Sequence, residues 1–282
     1  MSAWRGQVAF VTGGASGIGL GMAEAFASAG MLVTIADIEQ PALVAAVAQL
    51  AAKGLHVETM VLDVRDLGAF QAAAEALASR HGRVDLVCNN AGVVFERDAA
   101  DWTDAGWRWV LDVNLMGVVH GYQAFLPILK RQGRGHFVNT ASVTGLLGRA
   151  HIGQYGATKF AIVGLSQTMR EELAPDGVGV HVLCPGKVMT NIMHATRNAP
   201  PQLRSNGRLA TIAAPPLTPK PAGLRDVSDA FEVGRMVLAA VEEDVFYILT
   251  DLTWAAEIAA EQAKLRDGLA WLEKREAAPS RG

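Results

Sequence analysis

Short apolar, β-branched runs alternate along the chain with alanine-rich stretches whose apolar positions recur at helical spacing. The pattern predicts strands at Val8–Val11, Leu32–Ile35, Val57–Leu62, Val84–Cys88, Gly135–Asn139 and Val178–Leu183. Helices are predicted between them at Gly19–Ser28, Pro41–Ala52, Leu67–Arg80, Asp104–Lys130 and Tyr155–Leu173. Continuously apolar strands separated by helices imply a parallel sheet covered on both faces. With right-handed crossovers this is an α/β fold, a single Rossmann-type doubly wound sheet with helices on both faces. One catalytic domain is expected over residues 1–282.

The texture changes after Pro185. Residues 187–226 hold six of the eleven prolines and several lipophilic side chains, including Ile192, Met193, Leu209 and Leu217. Proline excludes one regular helix there, and a lid over an apolar site is expected. A helix at Ser228–Val241, a strand at Val245–Leu249 and a helical extension over 250–277 follow. In the last helix Trp254, Ile258, Leu265, Leu269 and Leu272 fall near one face. The domain's own flank and a neighbouring subunit both suit that face.

Composition narrows the function. Half of the 282 residues are hydrophobic and the net charge is −3, with no basic run of the kind that grips nucleic acid. No stretch is long and apolar enough for a membrane span, and the run after Met1 is too short for a signal-peptide core. Cys88 and Cys184 lie far apart without metal-ligand neighbours, so no metal site and a reducing, cytoplasmic setting are expected.

Candidate chemistry sits where strands end. Gly13, Gly14, Ser16, Gly17, Ile18 and Gly19 occupy the turn between the first strand and the first helix. Glycine there permits a tight turn and close backbone approach, and a helix N-terminus offers free N–H groups to a pyrophosphate. Asp37 ends the second strand, where a carboxylate can accept from ribose hydroxyls and repel a 2′-phosphate. Ala15, Ser16 and Ile38 offer no cation to such a phosphate, which favours NAD. Asp63 and Val64 end the third strand, and Asn89, Asn90, Ala91 and Gly92 the fourth. Asp63 could bond an adenine amino group, or simply form an Asx turn. Tyr155 and Lys159 are four apart on one helix face, where a nearby ammonium would lower the phenol pKa. Ser142 precedes Tyr155 by thirteen residues, and Asn114 is a polar residue set between Val113 and Leu115.

In this order, these segments resemble the short-chain dehydrogenase/reductase superfamily in its compact NAD-dependent form, over roughly residues 6–192. The resemblance implies that Tyr155 is the general acid/base, and that Lys159 tunes it and holds the nicotinamide ribose. It implies that Ser142 polarises the substrate oxygen, and that Asn114 holds a water in a proton relay. Pro185, Gly186, Val188 and Thr190 would meet the nicotinamide end. The long lid, the extended C-terminus and the Cys184-Pro-Gly stretch are similar to the subgroup that oxidises benzylic alcohols of bulky aryl ethers.

The substrate side is expected to be apolar, built from Val94, Val143, His151 and Met193 beside Ser142 and Tyr155. It suits a hydrophobic, bulky or aromatic secondary alcohol and its ketone. A steroid-type hydroxy/keto dehydrogenase, an NADP-linked reductase and a non-catalytic NAD(H)-binding sensor are the alternatives. The cluster Trp102, Trp107 and Trp109 is expected in the core or an interface. The helix around Phe160–Leu165 is apolar on most sides and needs cover on more than one of them, and the resemblance implies a homodimer or homotetramer.

Overall fold

A computed structural model of the chain describes residues 4–204 and 229–276. Seven parallel strands form one sheet in the order β3-β2-β1-β4-β5-β6-β7. They are β1 (Val8–Thr12), β2 (Leu32–Asp37), β3 (Val57–Val61), β4 (Leu86–Asn89), β5 (Gly135–Thr140), β6 (Val178–Cys184) and β7 (Tyr247–Leu249). The order reverses between β1 and β4, which opens a crevice at the carboxyl edge of the sheet.

Two apolar layers cover the sheet. On one face pack α1 (Gly17–Ser28), α2 (Gln40–Ala51) and, further along the chain, a helix at Ala230–Glu242. On the other pack α3 (Leu67–His81), a helix at Gly117–Gln132 and another at Gly153–Leu173. Phe10, Phe70 and Phe125 meet in this second layer with ring centroids 4.9 to 6.2 Å apart. Gly21 and Gly234 let the first and last helices of the first layer touch backbone to backbone, since a Cβ on either would fall on the other helix's main chain.

The predicted helix over 104–130 is not continuous. It divides into α4 (Asp104–Leu111), a π turn at Asp112–Met116 and α5 (Gly117–Gln132). Asn114 in the π turn bonds both backbone groups of Val93, its Oδ1 accepting from Val93 N at 2.8 Å and its Nδ2 donating to Val93 O at 2.9 Å. That clamp holds the widened turn against the loop after β4. The fourth strand starts two residues later than predicted, because the Gln132 side chain takes the N–H and carbonyl of Val84.

Three helices follow before the terminal one: α6 (Gly153–Leu173), α7 (Pro201–Arg204) and α8 (Ala230–Glu242), the last of these capped by Asp229. Of the expected lid, residues 191–198 form 3₁₀ turns and run into α7, while 205–226 lie outside the described residues. Ser228, the predicted start of α8, also lies outside them. The terminal helix α9 (Ala255–Glu276) has no buried residue among those described. Its start is tied down by Arg149, which pairs with Glu257 and lies over the Trp254 ring. Beyond that Leu265 is 73% exposed and Leu269 56%, so this part of the predicted apolar face does not pack on the domain's own flank. No described helix is long and apolar enough to cross a membrane.

Candidate active site

The crevice at the switch point is one continuous cavity, lined from the glycine turn and Asp37 at one end to Ser142 and Tyr155 at the other. Its first end is shaped by backbone. Gly13 and Gly17 have φ of +63° and +53°, a region that favours glycine. A Cβ on Gly19 would fall on the Gly13 carbonyl, so this residue permits the turn without lining the cavity. Ser16 caps α1 without a side-chain bond, which leaves first-turn N–H groups for a ligand. Asn90 ties the turn to the sheet, donating to Thr12 O at 3.0 Å and accepting from Thr140 Oγ1 at 3.1 Å.

Asp37 closes this end. Its Oδ2 accepts from Ala15 N at 3.2 Å and its Oδ1 from Glu39 N at 3.1 Å. Partial burial pushes its pKa up, and those backbone bonds pull against the rise. The glycine turn, the free helix terminus and this carboxylate fit the pyrophosphate and ribose of a dinucleotide. Asp63 is also here, but Arg65 grips it, Nη2 to Oδ2 at 2.6 Å. The adenine contact suggested for Asp63 therefore competes with an ion pair. Cations do line this end, which inspection of Ala15, Ser16 and Ile38 missed: Arg65, and Arg197 brought from beyond β6.

At the other end Ser142 caps the turn after β5, its Oγ accepting from Thr144 N at 3.2 Å. Tyr155 and Lys159 enter from the first turns of α6. Lys159 is almost fully buried and its Nζ donates to Thr140 O at 2.7 Å. Its Nζ lies 5.4 Å from the centroid of the Tyr155 ring. Burial pushes the lysine pKa down to about 8. Burial likewise pushes Tyr155 up to about 12, while a hydrogen bond with Ser142 pulls it down. Burial is the largest influence on the phenol and outweighs the Ser142 bond.

Asn114 is fully buried and does not line the cavity. Besides Val93 O, its Nδ2 donates to Thr158 Oγ1 at 3.1 Å, so both amide hydrogens are committed to protein. For a relay water the side chain keeps only the second lone pair of Oδ1.

Among the expected contacts, Val64, Ala91, Gly92, Pro185, Gly186, Val188 and Thr190 line the cavity. Gly186 N donates to Thr250 Oγ1 at 3.0 Å, which anchors that turn to the strand after it. Val94, Val143, His151 and Met193 do not line it. Val94 and Val143 are buried in the protein, Met193 points to solvent, and His151 pairs with Asp98 at a backbone φ of +64°. The wall instead comes from Val93, Trp109, Val113, Ile192 and Ala195. Trp109 packs edge-on against Phe95 with centroids 5.8 Å apart, whereas Trp102 and Trp107 form a separate, more exposed pair.

Beneath the cavity lies a polar network that no sequence pattern signals. Asn139 accepts from Asn89 Nδ2 at 2.9 Å and donates to Tyr122 Oη at 2.8 Å and Ser166 Oγ at 2.9 Å. It joins β4, β5, α5 and α6.

This sheet, with a phosphate-type turn at one end of its crevice and a serine, tyrosine and lysine at the other, is the architecture of a dinucleotide-binding oxidoreductase. The short-chain dehydrogenase family matches residues 7–201, and the chain belongs to that family. It is 36% identical over 209 residues to the C alpha-dehydrogenase of Sphingobium sp. strain SYK-6, covering 73% of this chain and 68% of that protein. A short-chain dehydrogenase/reductase from Burkholderia phymatum, solved in complex with NAD, matches with a TM-score of 0.82 and 34% identity over 94% of this chain and 97% of that one. The apo form of LigD from Sphingobium sp. strain SYK-6 matches with a TM-score of 0.76 and 28% identity, covering 94% of this chain and 97% of that one.

Proposed function

We propose that this chain is an NAD-dependent alcohol dehydrogenase/ketone reductase acting on a hydrophobic, bulky or aromatic secondary alcohol. The observation that carries the reading is the meeting of Ser142, Tyr155 and Lys159 in one cavity with the glycine turn and Asp37. NAD bound along that cavity would supply or accept the hydride. The turn at residues 13–18 would hold its pyrophosphate, Asp37 its adenosine ribose, and Pro185, Gly186, Val188 and Thr190 the nicotinamide end. The Burkholderia relative's bound NAD supports the choice of cofactor.

The chain's own groups handle the proton. With its pKa held up to about 12, the Tyr155 phenol is protonated at neutral pH and can donate to a ketone oxygen. In the oxidation direction the phenol first passes its proton to solvent, and the phenolate oxygen then takes the alcohol proton. The Ser142 hydroxyl bonds the phenol and, having one hydrogen, would turn it to the substrate oxygen when a ketone binds. Lys159 places positive charge beneath the oxygen on which negative charge develops. Apolar Val93, Trp109 and Ile192 exclude water and favour a neutral hydrophobic substrate. Similarity to the C alpha-dehydrogenase supports a dehydrogenase, and the resemblance to the aryl-ether subgroup favours a benzylic or otherwise aromatic alcohol over a steroid. Exposed Phe160 and Met116 on α6 and in the π turn support a homo-oligomer, and the low cysteine content a cytoplasmic setting.

The test is NADH formation at 340 nm over a panel of benzylic, steroid and aliphatic secondary alcohols, with NADP in parallel. Turnover of bulky aryl alcohols with NAD is the expected result. NAD binding without turnover of any alcohol would favour the sensor alternative, and activity with NADP alone would remove the role given to Asp37.

A further inference from the structure

Two guanidinium groups line the adenosine end of the cavity, and each is already engaged by a carboxylate. Arg65 is held by its near neighbour Asp63. Arg197 is different, because its partner lies 158 residues earlier in the chain. Its Nε and Nη2 donate to Glu39 Oε1 at 3.0 and 2.6 Å, and Asn198 Nδ2 donates to the same oxygen at 2.7 Å. Nη1 donates to the carbonyls of Asn191 and His194 at 3.3 and 3.0 Å. The backbone N–H of Glu39 in turn orients Asp37, the carboxylate placed to meet the ribose.

We propose that Glu39 is a specificity-determining residue: by holding and neutralising Arg197 it denies a 2′-phosphorylated dinucleotide a guanidinium that lines the ribose end. The assignment rests on the NAD reading above and deepens it. Asp37 alone disfavours a 2′-phosphate by repulsion, but an unengaged arginine beside it would offset that repulsion with a bidentate, charge-assisted pair. Glu39 removes that offset. Arg197 and Glu39 are both partly exposed, at 40% and 28% of their side chains, so the pair adds little to stability. What it fixes is where one positive charge is spent. Arg197 bonded to Glu39 holds the Glu39 carboxyl below the usual carboxylate range, so the neutralisation persists across physiological pH. The same contact fastens residues 191–198 across the ribose end to the loop after β2.

The experiment is fluorescence titration of the full chain with NADH and with NADPH, without substrate, for the wild type and four variants. The variants are Glu39→Gln, Glu39→Ala, Arg197→Met and the double substitution Glu39→Gln with Arg197→Met, with thermal melting to confirm that each is folded. The wild type is expected to bind NADH far more tightly than NADPH. Glu39→Gln should tighten NADPH by about tenfold while leaving NADH within about threefold, the scale of one charge-assisted contact. Arg197→Met in the same chain should abolish the gain. Glu39→Ala provides a second removal of the charge and should shift the ratio the same way. An unchanged NADPH-to-NADH ratio in both Glu39 variants overturns the assignment and leaves the NAD reading standing. So does a gain that persists with methionine at position 197. A wild type that binds neither dinucleotide overturns the NAD reading, and the assignment with it.

Discussion

The buried ammonium of Lys159 bonds the backbone carbonyl of Thr140, at 2.7 Å, and does not bond the Tyr155 hydroxyl. The lysine is thereby fixed to the end of β5, and the tyrosine is left to Ser142 and the substrate. The two members of the pair act through space and position, and their roles separate experimentally.

Replacing Tyr155 by phenylalanine removes the proton donor and little volume. The expected loss in kcat is ~10²–10⁴-fold, the usual worth of a positioned general acid. NADH binding, measured by fluorescence, should stay near the wild-type value. Retained turnover would show that another group moves the proton.

Lys159 has a distinct pH signature in the cofactor-free protein. Its pKa is about 8 when folded against an ordinary 10.5, so the unfolded chain binds more protons between those values. Stability from this group therefore rises as pH increases from about 8 toward 10.5, and below 8 the cost of burying the charge is present in full. Replacing it by methionine removes that cost. The melting-temperature difference between Lys159→Met and wild type should shift in favour of wild type across this window and stay flat below it.

Asn139 is the hub under the site, and leucine there strands Asn89 and Tyr122, while Ser166 keeps its bond to Ile162 O. Each buried group left unpaired costs about 1–3 kcal/mol, so urea denaturation should show a loss of at least that size. A variant as stable as wild type would mean that water replaces the amide.

Trp109 forms cavity wall away from the glycine turn. Alanine in its place should raise KM for bulky aryl alcohols by about tenfold or more, on the scale of lost aromatic burial. NADH affinity should be unchanged. A fall in kcat with KM unaltered would place the indole in the chemical step instead.

Much of the fold was legible because the central strands of a sheet covered on both faces are largely apolar. Val8–Val11 and Val178–Leu183 therefore stand out whatever follows them. The glycine turn and the Tyr155–Lys159 spacing were equally legible, being local. Asn114 was legible as an oddity, a polar residue between apolar ones, but not as a π turn, which depends on the backbone of Val93 in a loop 21 residues earlier. Arg197 and Trp109 could not be placed, because their positions follow from how residues 191–204 and α4 settle over the sheet. Val94 and His151 were misplaced for the converse reason: nearness in sequence to Gly92 and Tyr155 does not decide which way a loop residue faces. In α9 the spacing showed one apolar face correctly, and only the structure showed that the domain leaves it uncovered.

The Asn139 network binds the floor of the cavity to four elements, while its apolar wall is shared by the loop after β4, α4 with its π turn, and the stretch arriving after β6. Ala195, Ala199 and Leu203 of that stretch pack with Val93 and Trp109 in one buried cluster, so the two sides of the wall hold each other. A change of substrate preference on this plan therefore needs paired substitutions, one on each side of that cluster.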